Sequence, residues 1–320
     1  MKRLISLTIS LLILAIIYSK INFSGLIHIF QNCSAFWMSV SLGMVVPLTA
    51  LTAWRLQQLA PAGTRLGFAE ANRLILVAST LNMVLPSKMG DIAKAYFMRN
   101  SLRNSFPSRY LNSSLSLSLV IFEKACDMLS LLLWCAFGLL LYPQKDWLFW
   151  IMTISVAGGL IAGVLLLSYR RFAQLFFVSV SRFAPKKLKL KLDKLHFSWN
   201  EMHDYFWSDK TQLAKITATS IFIWFCHLLQ IWFFILALKA QTPFLANLAL
   251  SPLAILAGLL PLTFAGVGTR DAALILFYQP YFDAPTAAAL GLLCTSRYLI
   301  PALAGLPFLG KYLLSIRDLR

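Results

Sequence analysis

Apolar runs of bilayer length recur along this chain and constrain it more than any other feature. Residues 35–54, 111–142, 147–169, 216–238 and 286–314 each approach or exceed the roughly 20 residues that cross a membrane as a helix. Lipid offers no partner to backbone N–H and C=O groups, so apolar segments of this length must satisfy them internally, as helices do. Of the 320 residues, 59% are hydrophobic and 13% are charged; soluble domains average roughly 45–50% and about 25%. A soluble enzyme, a disulfide-stapled secreted domain and a disordered tail are excluded. The expected fold is an all-α polytopic membrane protein.

Lys and Arg number 29 against 12 Asp and Glu, a net charge of +17. The basic residues cluster at the ends of apolar runs, where they mark the cytoplasmic side of a membrane rather than a nucleic-acid surface. Cys33, Cys126, Cys135, Cys226 and Cys294 form no CxxC pair and no zinc spacing, which leaves them as small packing residues.

Met1-Lys2-Arg3 followed by apolar residues 4–18 has the form of a signal peptide, but Tyr18-Ser19-Lys20-Ile21-Asn22 offers no small-residue cleavage site. A retained first span with a cytoplasmic N-terminus is the expectation. Arg55, Arg65 and Arg73 then mark the cytoplasmic end of the second span. Residues 66–98 differ: Asn72-Arg73 interrupts them, Pro86, Gly90 and Asp91 break them, and basic residues flank both ends. Such a segment enters and turns back. Residues 248–281 are broken in the same way, between Leu260-Pro261 and Gly266-Val267-Gly268-Thr269-Arg270-Asp271.

The order span, span, broken segment, span thus occurs twice, with opposite orientation. The expectation is about six spanning helices plus two re-entrant or broken hairpins in an inverted repeat. Residues 1–142 form one half, and residues 143–320 the other, with a basic cytoplasmic segment at 172–215. Transporters built this way hold their site near the midplane, between paired discontinuous helices. Eight plain spans with proline kinks is the blander alternative.

Glu123, Lys124 and Asp127 lie inside an apolar run, where each charge costs ~2.5–3.5 kcal/mol unless it is partnered or wet. Glu123 and Asp127 share a helix face. Arg297 follows Leu260 by 37 positions and Glu123 follows Leu85 by 38, so the two occupy matching places. The expected partners of Glu123 and Asp127 are Arg297, Arg270 or Lys88. A structural clamp between the halves and a substrate-binding role fit these charges equally.

The breaks carry the stronger functional signal. Asn82, Pro86, Gly90, Pro261, Gly266 and Gly268 shape them, and Lys88, Lys94, Arg99 and Arg270 lie nearby. A half-helix N-terminus presents unpaired N–H groups and a positive dipole end, which suits phosphate. No complete dinucleotide fingerprint, phosphate loop, H-E-x-x-H, D-x-D or G-x-S-x-G is present, and His28, His196, His203 and His227 are too scattered for a metal set. No cofactor or metal is expected. Glu70 is most simply a solvated interfacial group. The stretch 186–194, alternating Lys with Leu, should lie on an anionic leaflet; a solvated loop is the alternative.

Asn82-Met83-Val84-Leu85-Pro86-Ser87-Lys88-Met89-Gly90-Asp91, Glu123-Lys124-x-x-Asp127, Leu260-Pro261 with Gly266-x-Gly268-x-Arg270-Asp271, and Arg297 together resemble the lysylphosphatidylglycerol synthase transmembrane family, also called flippase-like or YbhN-type. The resemblance spans nearly the whole chain. Lys124 stands where the family usually has Arg, and Asp91 and Asp271 where Glu is common. The resemblance implies lipid movement, or an accessory role in lipid or glycolipid assembly, and argues against lysyl transfer by a chain that holds only the membrane half.

The resulting expectation is a flippase-like protein of the inner, cytoplasmic membrane, both termini cytoplasmic, that translocates or binds an anionic lipid head group. Phospholipid, aminoacylated phosphatidylglycerol and polyprenyl-phosphate glycolipid are the candidates. Lys88, Arg270 and Arg297 would bind phosphate, while Asp91, Glu123, Lys124, Asp127 and Asp271 balance or gate those charges as one half rocks against the other. No catalytic residue is expected. The alternative is a membrane subunit or scaffold of a lipid-linked glycosyl or aminoacyl transferase. The expected partners are anionic membrane lipids, a lipid-modifying transferase in the alternative reading and a second copy of the chain as a homodimer; nucleic acid is not expected.

Overall fold

A computed structural model describes residues 23–60, 66–85, 89–105, 113–142, 145–183, 185–260 and 268–317. The helices are α1 (Phe23–Gln31), α2 (Ala35–Gly43), α3 (Val45–Leu59), α4 (Phe68–Val84), α5 (Met89–Ser105), α6 (Ser113–Leu141) and α7 (Trp147–Ser168). They continue as α8 (Arg170–Phe183), α9 (Lys186–Ser208), α10 (Lys210–Ala237), α11 (Phe244–Gly258), α12 (Thr269–Tyr278) and α13 (Ala284–Arg317). Among the described residues there is no strand. The chain is an all-α polytopic membrane protein.

Five helical stretches are long and apolar enough to cross a membrane: Ala35–Leu59, Ser116–Leu141, Trp147–Ser168, Lys210–Ala237 and Ala284–Tyr312. The expected first span, residues 4–18, lies outside the described residues. At roughly 1.5 Å per residue, α7 is about 33 Å long, close to the hydrocarbon thickness of a bilayer. Its start is fixed by Asp146, whose carboxylate accepts the Phe149 N–H at 2.9 Å. Asp209 does the same for α10, accepting from Thr211 and Gln212 at 3.0 Å each. Both caps satisfy N–H groups that have no carbonyl one turn earlier.

Both interrupted segments are pairs of shorter helices, α4–α5 and α11–α12, as their broken sequences predict. Two buried cores lie at opposite ends of α6 and α10. One gathers α4 and α5 with Phe122 and Ile216; the other gathers α11 and α12 with Leu131, Cys135 and Phe234. The packing is reciprocal. Helix α13 crosses α4, and α6 crosses α11. A glycine permits each crossing: a Cβ on Gly305 would overlap the Leu76 carbonyl oxygen, and a Cβ on Gly138 would overlap that of Ala249. Small residues at helix contacts let backbones approach this closely in lipid. Thr80 of α4 adds a bond to the Ala302 carbonyl at 2.6 Å.

One expectation needs correction. The second span continues past Trp54 to Leu59, so Arg55 is not an interfacial flank but a side chain 1% exposed inside the helix bundle. Residues 172–215 hold most of α8, all of α9 and the first turns of α10, and the C-terminal part of α9 packs on the bundle. Its Phe206 stacks on Phe122 of α6 with ring centroids 3.8 Å apart, and its Trp199 and Trp207 donate to the Leu166 and Leu167 carbonyls that end α7. Lys189 and Asp193, in the lysine-rich first turns, are exposed. Apolar and aromatic residues at helical spacing in 199–206 make the docked face, a pattern masked by the lysines before it.

Candidate functional site

Six charged residues, Arg55, Asp91, Lys94, Glu123, Lys124 and Asp127, form a closed ring of alternating sign. Arg55 Nη2 meets Glu123 at 3.0 Å, and the other oxygen of Glu123 meets Lys94 Nζ at 2.5 Å. Lys94 faces Asp91 at 3.8 Å, Asp91 faces Lys124 at 3.4 Å, and Lys124 faces Asp127 at 3.5 Å. Asp127 returns to Arg55 Nη1 at 2.5 Å. Three cations and three anions are thereby matched, each with two partners. Helices α3, α5 and α6 supply them, and Ser220 of α10 accepts from Arg55 Nη1 at 2.9 Å. Arg55, Lys94 and Glu123 are essentially sealed from solvent, with exposures of 1%, 1% and 0%. Buried charges are tolerated only when paired in this way.

Helical spacing explains part of this. Asp91 and Lys94 lie three apart on α5, and Lys124 and Asp127 three apart on α6, so each pair meets along its own helix, while Glu123 reaches across to α3 and α5. Gly90 lets α5 close on α4: a Cβ there would overlap the Ala78 carbonyl and meet the backbone and side chain of Asn82. Arg55 was not among the sequence candidates. The signal available was electrostatic: Asp91, Glu123 and Asp127 outnumber Lys94 and Lys124, and one more cation must face them.

The ring does not include Arg270 or Arg297, contrary to the expected partners of Glu123 and Asp127. Arg270 is engaged by its neighbour Asp271 at 2.9 Å, by the Gly291 carbonyl at 2.9 Å and by Thr295 Oγ1 at 2.7 Å. The other oxygen of Asp271 accepts the Gly268 N–H at 3.0 Å, at the start of α12. Gly268 has φ 100°, a left-handed conformation that glycine adopts without a steric penalty. One carboxylate thus occupies the first turn of α12 and neutralises the arginine beside it. Pro86, Lys88, Pro261 and Gly266 lie outside the described residues.

Arg297 of α13 stands apart. It is 5% exposed, yet among the described residues it is the buried charged side chain without an oppositely charged partner. Its Nη2 donates to the Tyr298 hydroxyl at 2.8 Å, and its guanidinium lies 4.9 Å from the centre of that ring. Its Nε and Nη1 find no acceptor among the described residues. His227 of α10 lies within electrostatic reach of Arg297, and its Nδ1 also lacks a partner. Unsatisfied buried polar groups of this kind are rare and costly.

Other features are less suited to chemistry. Among the described residues no three His, Cys, Asp or Glu side chains gather as metal ligands. A hollow of about 650 Å³ at the α12–α13 turn, lined by Ile275, Gln279, Tyr281 and Asp283, contains no cation to hold an anionic group. Glu70, expected to be simply solvated, accepts from Tyr312 at 2.5 Å and ties the end of α13 to α4.

Residues 3–305 match the family described as the lysylphosphatidylglycerol synthase TM region. No curated protein matches the chain.

Proposed function

The chain belongs to the lysylphosphatidylglycerol synthase TM-region family, and from that premise we propose that it binds the anionic head group of a membrane lipid at Arg297 and carries it across the bilayer. The observation that supports this reading is the lone guanidinium. Among the described residues every other buried charge is matched, so this cation is costly to keep without a partner, and a phosphate entering from the lipid phase relieves that cost. Two N–H-bearing nitrogens without an acceptor, Nε and Nη1, lie on different edges of the guanidinium plane, and each can donate a charge-assisted hydrogen bond to a phosphate oxygen. Lys88 joins Arg297 in this proposal as a second phosphate ligand. Arg270 serves as a fixed, Asp271-neutralised post at the broken α11–α12 pair, and the ring of Asp91, Glu123, Lys124 and Asp127 balances charge beside the path.

In the same proposal, residues 1–142 and 143–320 act as inverted halves, the protein resides in the inner membrane, and its termini and residues 172–215 face the cytoplasm. A second reading makes the chain a scaffold for a lipid-modifying transferase; the docked α9 helix, with its exposed Lys189 and Asp193, favours a soluble contact on that side.

The test is lipid movement in reconstituted vesicles carrying fluorescent phosphatidylglycerol, with dithionite quenching of the outer leaflet. Wild type should accelerate equilibration between leaflets, and Arg297→Gln should abolish the acceleration. Wild-type vesicles that behave like empty ones would remove the transport reading and leave the scaffold.

A further inference from the structure

Tyr169 alone separates the membrane-length helix α7 from α8. It leaves helical geometry, at φ −115° and ψ 106°, so the chain turns where the span ends. With 14 residues, α8 is about 21 Å long, too short for the roughly 30 Å hydrocarbon core. It has an apolar side nonetheless. Ala173 and Phe177, four apart, are buried against α9, where Phe177 stacks on His196 with ring centroids 5.1 Å apart. One position behind them, Phe172, Phe176 and Val180 form a second row at the same spacing, and all three are exposed. The protein neighbours of α8 are α7 and α9, and neither covers that row.

The polar side is basic. Arg170, Arg171 and Arg182 are exposed, and no Asp or Glu occurs between Asp146 and Asp193. Arg170 is answered by Asp204 of α9 at 2.9 Å; among the described residues Arg171 and Arg182 form no ion pair. An apolar row beside a cationic edge on a short helix is the pattern of helices that lie in the membrane interface, sunk about 5–10 Å into the boundary between head groups and acyl chains. Anionic lipid phosphates supply the countercharge that the chain does not. Phe172 follows the end of the span by four residues, which keeps the row beside lipid and away from a soluble partner. We infer that α8 lies in the plane of the membrane surface, with Phe172, Phe176 and Val180 among acyl chains and Arg171 and Arg182 on the phosphates of anionic phospholipid. This contact is separate from Arg297 and does not depend on a head group binding there.

Bimane attached at Phe176→Cys tests the seat of α8 in the full chain in nanodiscs, with Cys33→Ala and Cys226→Ala in the background and Cys126, Cys135 and Cys294 left buried. The discs carry equal amounts of phosphatidylglycerol and phosphatidylcholine, with a nitroxide on the acyl chain of one or the other. Quenching by the labelled phosphatidylglycerol should exceed that by labelled phosphatidylcholine by about twofold or more. Aqueous iodide should spare this probe and quench one at Gln174→Cys, on the opposite side of the helix. Arg171→Gln/Arg182→Gln should bring the two lipids to equal quenching without freeing the probe from lipid. Equal quenching before those substitutions, or a preference that survives them, would overturn the arginine–phosphate contact. Iodide quenching at Phe176→Cys would take α8 off the bilayer, and quenching by neither agent would put a second copy or a partner protein over the row; either result overturns the membrane seat.

Discussion

Arg55 and Glu123 meet at 3.0 Å with both side chains sealed from solvent, and each has a second partner of opposite charge, Asp127 for the arginine and Lys94 for the glutamate. The double partnering matters energetically. Breaking a buried pair costs roughly 3–5 kcal/mol because the survivor is left uncompensated. In a ring, the survivor keeps one neighbour. Its remaining penalty is the net charge now confined to the bundle.

Glu123→Gln should therefore destabilise the protein by about 3 kcal/mol, the lower end of that range. Arg55→Met should cost a similar amount. The double variant Arg55→Met/Glu123→Gln restores neutrality and should cost less than the sum of the two singles. Thermal melting in detergent, arranged as a double-mutant cycle, measures the coupling. A strictly additive cycle would mean that the pair contributes nothing of its own.

The glycine crossings make a sterically sharper forecast. Gly305→Ala and Gly138→Ala each push a methyl into a backbone carbonyl, which cannot swing aside as a side chain does. Overpacking of this kind costs about 1–3 kcal/mol or more. Gly158 and Gly310 have nothing within 4 Å of an added Cβ, and alanine there should leave the melting temperature at or slightly above wild type. Should all four variants melt alike, the α4–α13 and α6–α11 contacts are not as close as described.

Much of this was legible in the sequence because hydrophobic length and charge placement report on lipid directly. Both broken segments, the spans and the intramembrane position of Glu123 and Asp127 follow from residue type alone. The partners did not. Arg55 ends an apolar run, and that is also how a cytoplasmic flank reads; only the depth of Leu56 and Leu59, both fully buried, distinguishes the two. Matching repeat positions likewise suggested that Arg297 meets Glu123, yet repeat equivalence relates positions, not contacts. The docking of α9 was hidden for a further reason: its lysine-rich first turns dominate the local composition, while Trp199 and Phe206 carry the burial.

At the second break, Asp271 serves two groups at once, so its neutral isostere separates them. Asp271→Asn keeps an oxygen for the Gly268 N–H but leaves Arg270, 4% exposed, without its counter-charge. A loss of about 3 kcal/mol is expected. Arg270→Gln added to it should restore part of that loss, since the stranded cation is then gone. Chemical denaturation of the two variants side by side measures the recovery.

Arg297 supports a prediction of opposite sign. Most substitutions of buried residues destabilise, but this side chain carries an unmatched charge and two donors without acceptors. Arg297→Met keeps much of the length and apolar stem while removing both costs. Replacing buried ions by apolar residues of similar volume is often neutral or stabilising by roughly 1–4 kcal/mol. In lipid-depleted detergent, Arg297→Met should therefore unfold at a higher temperature than wild type, by the equivalent of about 1–3 kcal/mol. Added phosphatidylglycerol should then reverse the ranking. A ligand at 100 times its Kd stabilises the folded state by about 2.7 kcal/mol, and only wild type retains the guanidinium to bind it. Stability given up for a binding group is the expected signature of a functional site. If Arg297→Met instead melts lower than wild type in both conditions, Arg297 belongs to the packing of α13 and its place in lipid recognition falls.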